Sequence, residues 1–162
     1  MIATLFSALT FLAVIGSGLA AGLFFIFSNT IMASFARLPA AQGIAAMQQI
    51  NLTIINPAFM AVFMGMVVLA LLLGGKALLG WSEAGAGWLL AGAVAYVVGC
   101  FLVTIIFNVP LNDQLAAVDP SSAEGAALWA TYLSDWLPWN HVRTVAGMIS
   151  LGAFAMAFAR IA

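Results

Sequence analysis

Charge is what this sequence has least of. Its 162 residues include four Lys or Arg and five Asp or Glu, 6% in all. Water-soluble domains carry about 25%. The net charge of −1 leaves no basic face for nucleic acid, whose phosphates require one. The single cysteine, Cys100, excludes an intrachain disulfide and a thiolate metal cluster. It lies in an apolar run and reads as a packed, inert thiol. The single histidine, His141, is too few for a bis-His haem site or a zinc triad. Met60, Met64 and Met66 carry sulfur that suits copper(I), but they sit in apolar runs where methionine is ordinarily packing. No Gly-rich phosphate loop follows a strand. The expectation is a protein with no metal and no organic cofactor.

What the chain has is hydrocarbon. Hydrophobic residues make up 65% of it. A soluble fold of this length could not hide so much apolar surface, so the solvent is lipid and the bilayer is the first expected partner. No charge interrupts residues 1–36, 38–75, 84–112 or 144–159. A helix needs about 20 apolar residues to cross the hydrocarbon. The spans are predicted near 3–27, 56–74, 87–107 and 141–160. The first has no basic residues ahead of it and is too long for a cleaved leader. Open strands cannot satisfy their backbone in lipid, so the spans are helices. The fold class is all-α: an integral membrane four-helix bundle, one domain over 1–162, with an amphipathic helix between the third and fourth spans. Small residues spaced four apart (Gly18 and Gly22; Ala91, Ala95 and Gly99; Ala155 and Ala159) are candidate helix contacts. An apolar exterior also leaves room for a homo-oligomer.

Four crossings place both termini on one side. The α-amino group favours the cytoplasmic side of a bacterial membrane for them. Counting about 1.5 Å per residue along each helix, the spans reach the opposite interface near Ser28 and Asn29, Asn56, Asn108, and Asn140 with His141. Hydrogen-bonding side chains thus converge at one depth. Pro57 and Pro110 follow this level and would free the carbonyls of Thr53 and Ile106 if the helices continue. The segment 39–51 reads as an outward extension of the second span. In the second connection, Asp119-Pro120 is a turn. Ser121 and Glu124 fit a capping box for a helix near 122–134. That helix sets Leu128, Trp129, Tyr132, Leu133 and Trp136 on one side, either as an interfacial belt or as a lid.

The candidate substrate-binding residues are therefore Asn51, Asn56, Asn108, Asn112, Trp139 and Asn140, with His141 and Arg143 as candidate catalysts. Amides, a guanidinium and an imidazole beside aromatic rings suit a flat hydrophobic aromatic molecule with one or two oxygens. His141 would take a proton, and Arg143 with the asparagines would hold an oxyanion. His141 and Arg143 are two positions apart, so a regular helix cannot point both the same way.

Three stretches carry a resemblance: MQQINLTIINPAF at 47–59, FNVPLNDQLAAVDP at 107–120 and WATYLSDWLPWNHVRT at 129–144. Together with the four-span layout they resemble the anthrone oxygenase family of membrane proteins, long known as a domain of unknown function. Asn51, Asn56, Pro57, Asn108, Pro110, Asn112, Trp139, Asn140, His141 and Arg143 match its motifs. The resemblance implies oxidation of an anthrone to an anthraquinone without a metal or organic cofactor. Three classes of function stay open on the residues alone: a cofactor-independent oxygenase, a structural or interacting membrane protein, and a small-molecule carrier.

Overall fold

The computed structural model describes residues 2–161, and among these every regular element is helical. The helices are α1 (Thr4–Phe35), α2 (Ala40–Thr53), α3 (Pro57–Leu79), α4 (Ala86–Ala116) and α5 (Ala123–Ile161). All but α2 are long and apolar enough to cross a membrane. The chain is a multi-pass integral membrane protein built on a four-helix bundle. Around the bundle α1 packs on α3, α3 on α4, α4 on α5, and α5 on α1.

Close helix contact depends on small residues, but not the ones the i, i+4 spacing suggests. Gly22 has open space where a β carbon would stand, and Ala91, Ala155 and Ala159 are exposed. Of the suggested set, Gly99 does meet α5, at Ala146. The tightest approach between α1 and α5 is at Gly147, where an added β carbon would lie 3.0 Å from the Ala21 β carbon and 3.1 Å from its Cα. Spacing alone marks residues that share a face; it does not say whether that face meets a helix or lipid. Buried hydroxyls add ties across the bundle. Ser17 and Ser150 share a hydrogen bond of 3.0 Å, and Ser150 Oγ donates to the Gly92 carbonyl.

The interior divides into two apolar cores. The lower one gathers Ala13, Phe63, Leu73, Leu89, Tyr96 and Phe154 from the four spans. The upper one gathers Phe27, Met32, Ile44, Met47, Leu115, Trp129, Tyr132 and Trp136. A 39-residue α5 is about 58 Å long, nearly twice the hydrocarbon thickness of about 30 Å. Its first half therefore stands beyond the hydrocarbon, where α2 and the ends of α1 and α4 cover it. This corrects the sequence reading. The aromatic segment after Ser122 is helical and turns Trp129, Tyr132 and Trp136 inward, but it is continuous with the fourth span rather than separate. Pro138 sits inside α5 on its exposed side without ending it.

The caps also differ from expectation. Ser122, not Ser121, caps α5: its Oγ accepts from the Gly125 amide at 2.9 Å. Ser121 instead closes the turn before it, donating its hydroxyl and its amide to Asp119 Oδ1. Those two donors hold the Asp119 carboxyl below its ordinary range. The segment before Pro57 does not extend α3. The chain breaks at Ile54–Asn56, Asn56 Oδ1 caps α3 by accepting from the Phe59 amide at 3.0 Å, and Pro57 opens the helix where its missing N–H costs nothing. The Thr53 carbonyl is satisfied by Asn56 Nδ2 at 3.0 Å. At Pro110 the accommodation is different. α4 widens to π turns at Ala95–Leu102 and Thr104–Asn108 just before it, and α1 does the same at Phe27–Ile31. Such wide turns displace carbonyls from the regular ladder and often mark functional positions.

The Gly147 contact is testable. Gly147→Leu is expected to lower the unfolding midpoint in detergent by the cost of overpacking, about 1–3 kcal/mol. Gly22→Ala, with free space around it, is expected to leave the midpoint unchanged or raise it slightly. Equal effects of the two would refute the packing scheme.

Candidate functional site

Between the two cores lies a polar layer centred on α5. The buried face of this helix runs through Trp136, Asn140, Arg143, Thr144 and Gly147, at spacings of three and four. Arg143 is only 6% exposed. Its Nη2 donates to Asn140 Oδ1 at 2.6 Å and its Nη1 to Thr104 Oγ1 at 3.2 Å. Its guanidinium lies over the rings of Phe24, at 4.5 Å, and Trp136, at 5.0 Å. Its Nε is buried with no hydrogen-bond partner. The one ion pair among the described residues joins Lys76 to Glu83 at the other end of the bundle, so no carboxylate balances Arg143. A buried charge without a counter-ion is costly. Here two neutral acceptor oxygens and two aromatic faces offset only part of that cost.

Asn140 ties this cation to α1. Its Nδ2 donates to the Phe24 carbonyl at 2.8 Å and to Ser28 Oγ at 2.7 Å. Ser28 lies in the π turn of α1, and Phe24 stands just before it. Ser28 in turn bonds Thr144 at 3.0 Å. On the other side, Asn112 Oδ1 accepts from the Tyr132 hydroxyl at 2.8 Å and from Trp136 Nε1 at 2.9 Å. These bonds fix the aromatic rings that roof the layer.

Below that roof is a cavity of about 290 Å³, at the lower end of ordinary small-molecule sites. The lower core contributes Phe24 and Phe63 to it, and the upper core Phe27, Met47 and Trp136. Its polar wall is Arg143, Asn140, Thr104, Asn51 and Asn112. The Asn51 amide nitrogen is buried and without a partner. Everything else in the wall is hydrocarbon, aromatic ring or methionine sulfur. Among the described residues no group of three His, Cys, Asp or Glu side chains comes together.

The structure thus brings four of the sequence candidates to one cavity: Arg143, Asn140, Asn51 and Asn112. The other four stand elsewhere. His141 is on the exposed side of α5, because a step of two residues turns the helix about 200° away from Arg143. Asn56 is occupied as the cap of α3. Asn108 is fully buried beside the layer, donating to the Trp136 carbonyl at 3.2 Å. Trp139 stacks on Phe107, ring centroids 3.6 Å apart, outside the cavity wall. Gln48 points inward, donating to the carbonyls of Leu115 and Val118. Thr104 and Ser28 were not singled out as ligands. Thr104, Asn108 and Asn112 repeat every four residues, which was the available signal.

The described residues thus form a multi-pass membrane bundle around a largely apolar cavity with a buried cation on its wall. The family model described as anthrone oxygenase matches residues 58–155, more than half of the chain, and the chain belongs to that family. The matched segment contains the second and third of the stretches quoted above and begins just after the Asn56 cap. No curated protein and no solved structure matches the chain.

The role of Asn140 can be isolated. Asn140→Ala strands the Phe24 carbonyl and one arm of Arg143, so unfolding in detergent is expected to become easier by about 1–3 kcal/mol. His141→Ala, on the exposed side, is expected to stay within about 0.5 kcal/mol of wild type. The opposite ranking would contradict the network.

Proposed function

We propose that the protein is a cofactor-independent oxygenase that binds a flat hydrophobic aromatic ketone of the anthrone type in the cavity beneath Trp136 and oxidises it to the quinone. The observation that carries this reading is the buried guanidinium of Arg143, unbalanced by any carboxylate and facing a cavity otherwise lined by apolar groups. Such a wall stabilises a negative charge that develops on a ligand and is worth most where water is excluded. Membership of the anthrone oxygenase family supports it.

The chemistry balances with the substrate and dioxygen alone. The acidic C–H opposite the ketone loses its proton, which passes to water on the Asn51 and Asn112 side. The electron pair delocalises onto the ketone oxygen, where Arg143 and the Asn51 amide can donate hydrogen bonds. The electron-rich anion gives one electron to dioxygen, the resulting radical and superoxide join as a carbon–oxygen bond, and the peroxide anion takes a proton back from the same water to become the hydroperoxide. The hydroperoxide then loses water. One oxygen atom ends in the new carbonyl and the other in water. Arg143 is the oxyanion-stabilising group in this scheme, Asn140 and Thr104 position it, and His141 has no part. A carrier reading finds less support, since the lower half of the bundle is filled by the apolar cluster around Phe63, Leu73, Tyr96 and Phe154. A purely structural role leaves the partnerless Arg143 and Asn51 nitrogens without a purpose.

The test is oxygen uptake and quinone formation by purified protein given anthrone. Loss of an oxyanion donor of this kind costs about 10²–10³-fold in turnover, so Arg143→Met is expected to fall by that order. Arg143→Lys is expected to fall too, because an ammonium cannot span Asn140, Thr104 and the ligand at once. His141→Gln is expected to retain wild-type turnover. Full activity in Arg143→Met would end the proposal.

A further inference from the structure

The cavity opens on two sides, one apolar and one partly polar. One lies between α3 and α4, which pack closely through Ala86–Val94 and Ala95–Leu102 but part toward Thr104–Asn108. Its rim is Ile55, Met64 and Ile105, which are 71%, 39% and 47% exposed. Met64 stands seven residues beyond Pro57, so this rim reaches about 10 Å along α3 into the hydrocarbon from the Asn56 cap. The other opening adjoins a second cavity of about 340 Å³, which shares Asn51, Ile55, Val109 and Asn112 with the first. Beyond those it is lined by Gln48, Gln49, Leu52, Asp113 and Ala116, outside the first cavity. One opening therefore looks into lipid and the other toward water, with the Asn51 and Asn112 amides between them.

We infer that the cavity is loaded sideways from the bilayer, with a neutral, membrane-dissolved, flat aromatic molecule as its substrate class, and that the second opening passes only water and protons. This deepens the oxygenase reading, on which the chemical identity of the substrate rests. A molecule already dissolved in lipid exchanges hydrocarbon contacts for those of Ile55, Met64 and Ile105, with nothing polar to desolvate. Flexible methionines suit a rim of this kind. The watery route would force the same molecule past the Asp113 carboxylate, an acceptor to which a ketone offers no donor. The rim is also selective by charge. A neutral ketone crosses it, whereas the anion formed beside Arg143 cannot return through an apolar opening. The intermediate is held until it becomes the neutral quinone, which leaves as the substrate came. Dioxygen, more soluble in hydrocarbon than in water, takes the same path.

Photolabelling tests this without requiring turnover. The wild-type protein in lipid nanodiscs is irradiated with a small neutral aryl diazirine dissolved in the bilayer, and adducts are mapped by mass spectrometry. Met47 and Trp136 are 1% and 4% exposed and line the cavity, so adducts there report passage through an opening. The expected result is labelling of both, lost in Ile105→Trp and in Met64→Trp and retained in Gln49→Trp. Adducts on lipid-facing Leu72 and Ile149 should persist in all three variants, showing that they are folded. Absence of interior adducts in wild type would overturn the inference. So would their survival in both rim variants with loss in Gln49→Trp. Failure of the labelling pattern with anthrone turnover intact removes the lateral route alone. The expected pattern with no turnover on any anthrone removes the oxygenase reading and leaves the membrane-facing opening.

Discussion

A guanidinium buried between two apolar cores without a counter-charge is the constraint around which the upper half of this bundle is arranged. In a medium of low dielectric, such a group persists only when several neutral partners each offset part of its desolvation. Asn140, Thr104, Phe24 and Trp136 do so from three helices. Asn140 can turn its oxygen to Arg143 because its nitrogen is held by the Phe24 carbonyl and Ser28. Those partners stand beside the π turn of α1, and Thr104 opens a π turn of α4. The irregular backbone and the buried cation therefore occur at the same level. Arg143 Nε is left without a partner, and the residue lines the adjoining cavity.

Much of this was legible in the sequence, and what was not has a common cause. Charge-free runs locate the spans because lipid tolerates so few charges, and depth follows from a fixed rise per residue. Both are one-dimensional quantities. They lead to Ser28 and Asn29, Asn56, Asn108, and Asn140 with His141 at one level, and of these Asn140 is the one that lines the cavity. Azimuth is different, since it depends on which face of each helix meets its neighbours. His141 lies at the same depth as Asn140 and faces outward. Gly22 and Ala159 keep a small-residue spacing and contact no neighbouring helix closely or lie exposed, whereas Gly147 meets Ala21. Trp139 and Trp136 differ by three positions; Trp136 roofs the cavity while Trp139 stacks on Phe107 beside it. The proline at 57 was readable as an irregularity, but whether it kinks a helix or begins one was decided by Asn56, whose side chain caps the new helix.

The division into a packed lower core and a hollow upper half also accounts for the length of α5. Its extension beyond the hydrocarbon carries Trp129, Tyr132 and Trp136 over the bundle end, where α2 closes them in. The roof is thus built from the same helix that supplies Arg143 and Asn140. Relative motion between roof and cation is limited by one continuous backbone. The buried polar layer is one or two helical turns deep and lies between the two apolar cores.

The central claim is that Arg143 makes the cavity a site for an aromatic oxyanion. Its most direct test is an absorbance titration of anthrone bound to the protein under nitrogen, where no oxidation can follow. The account requires that the bound anthrone ionise at a distinctly lower pH than anthrone in empty detergent micelles, and that this difference disappear in Arg143→Met. An anthrone that ionises at the same pH in wild type and in empty micelles would contradict it.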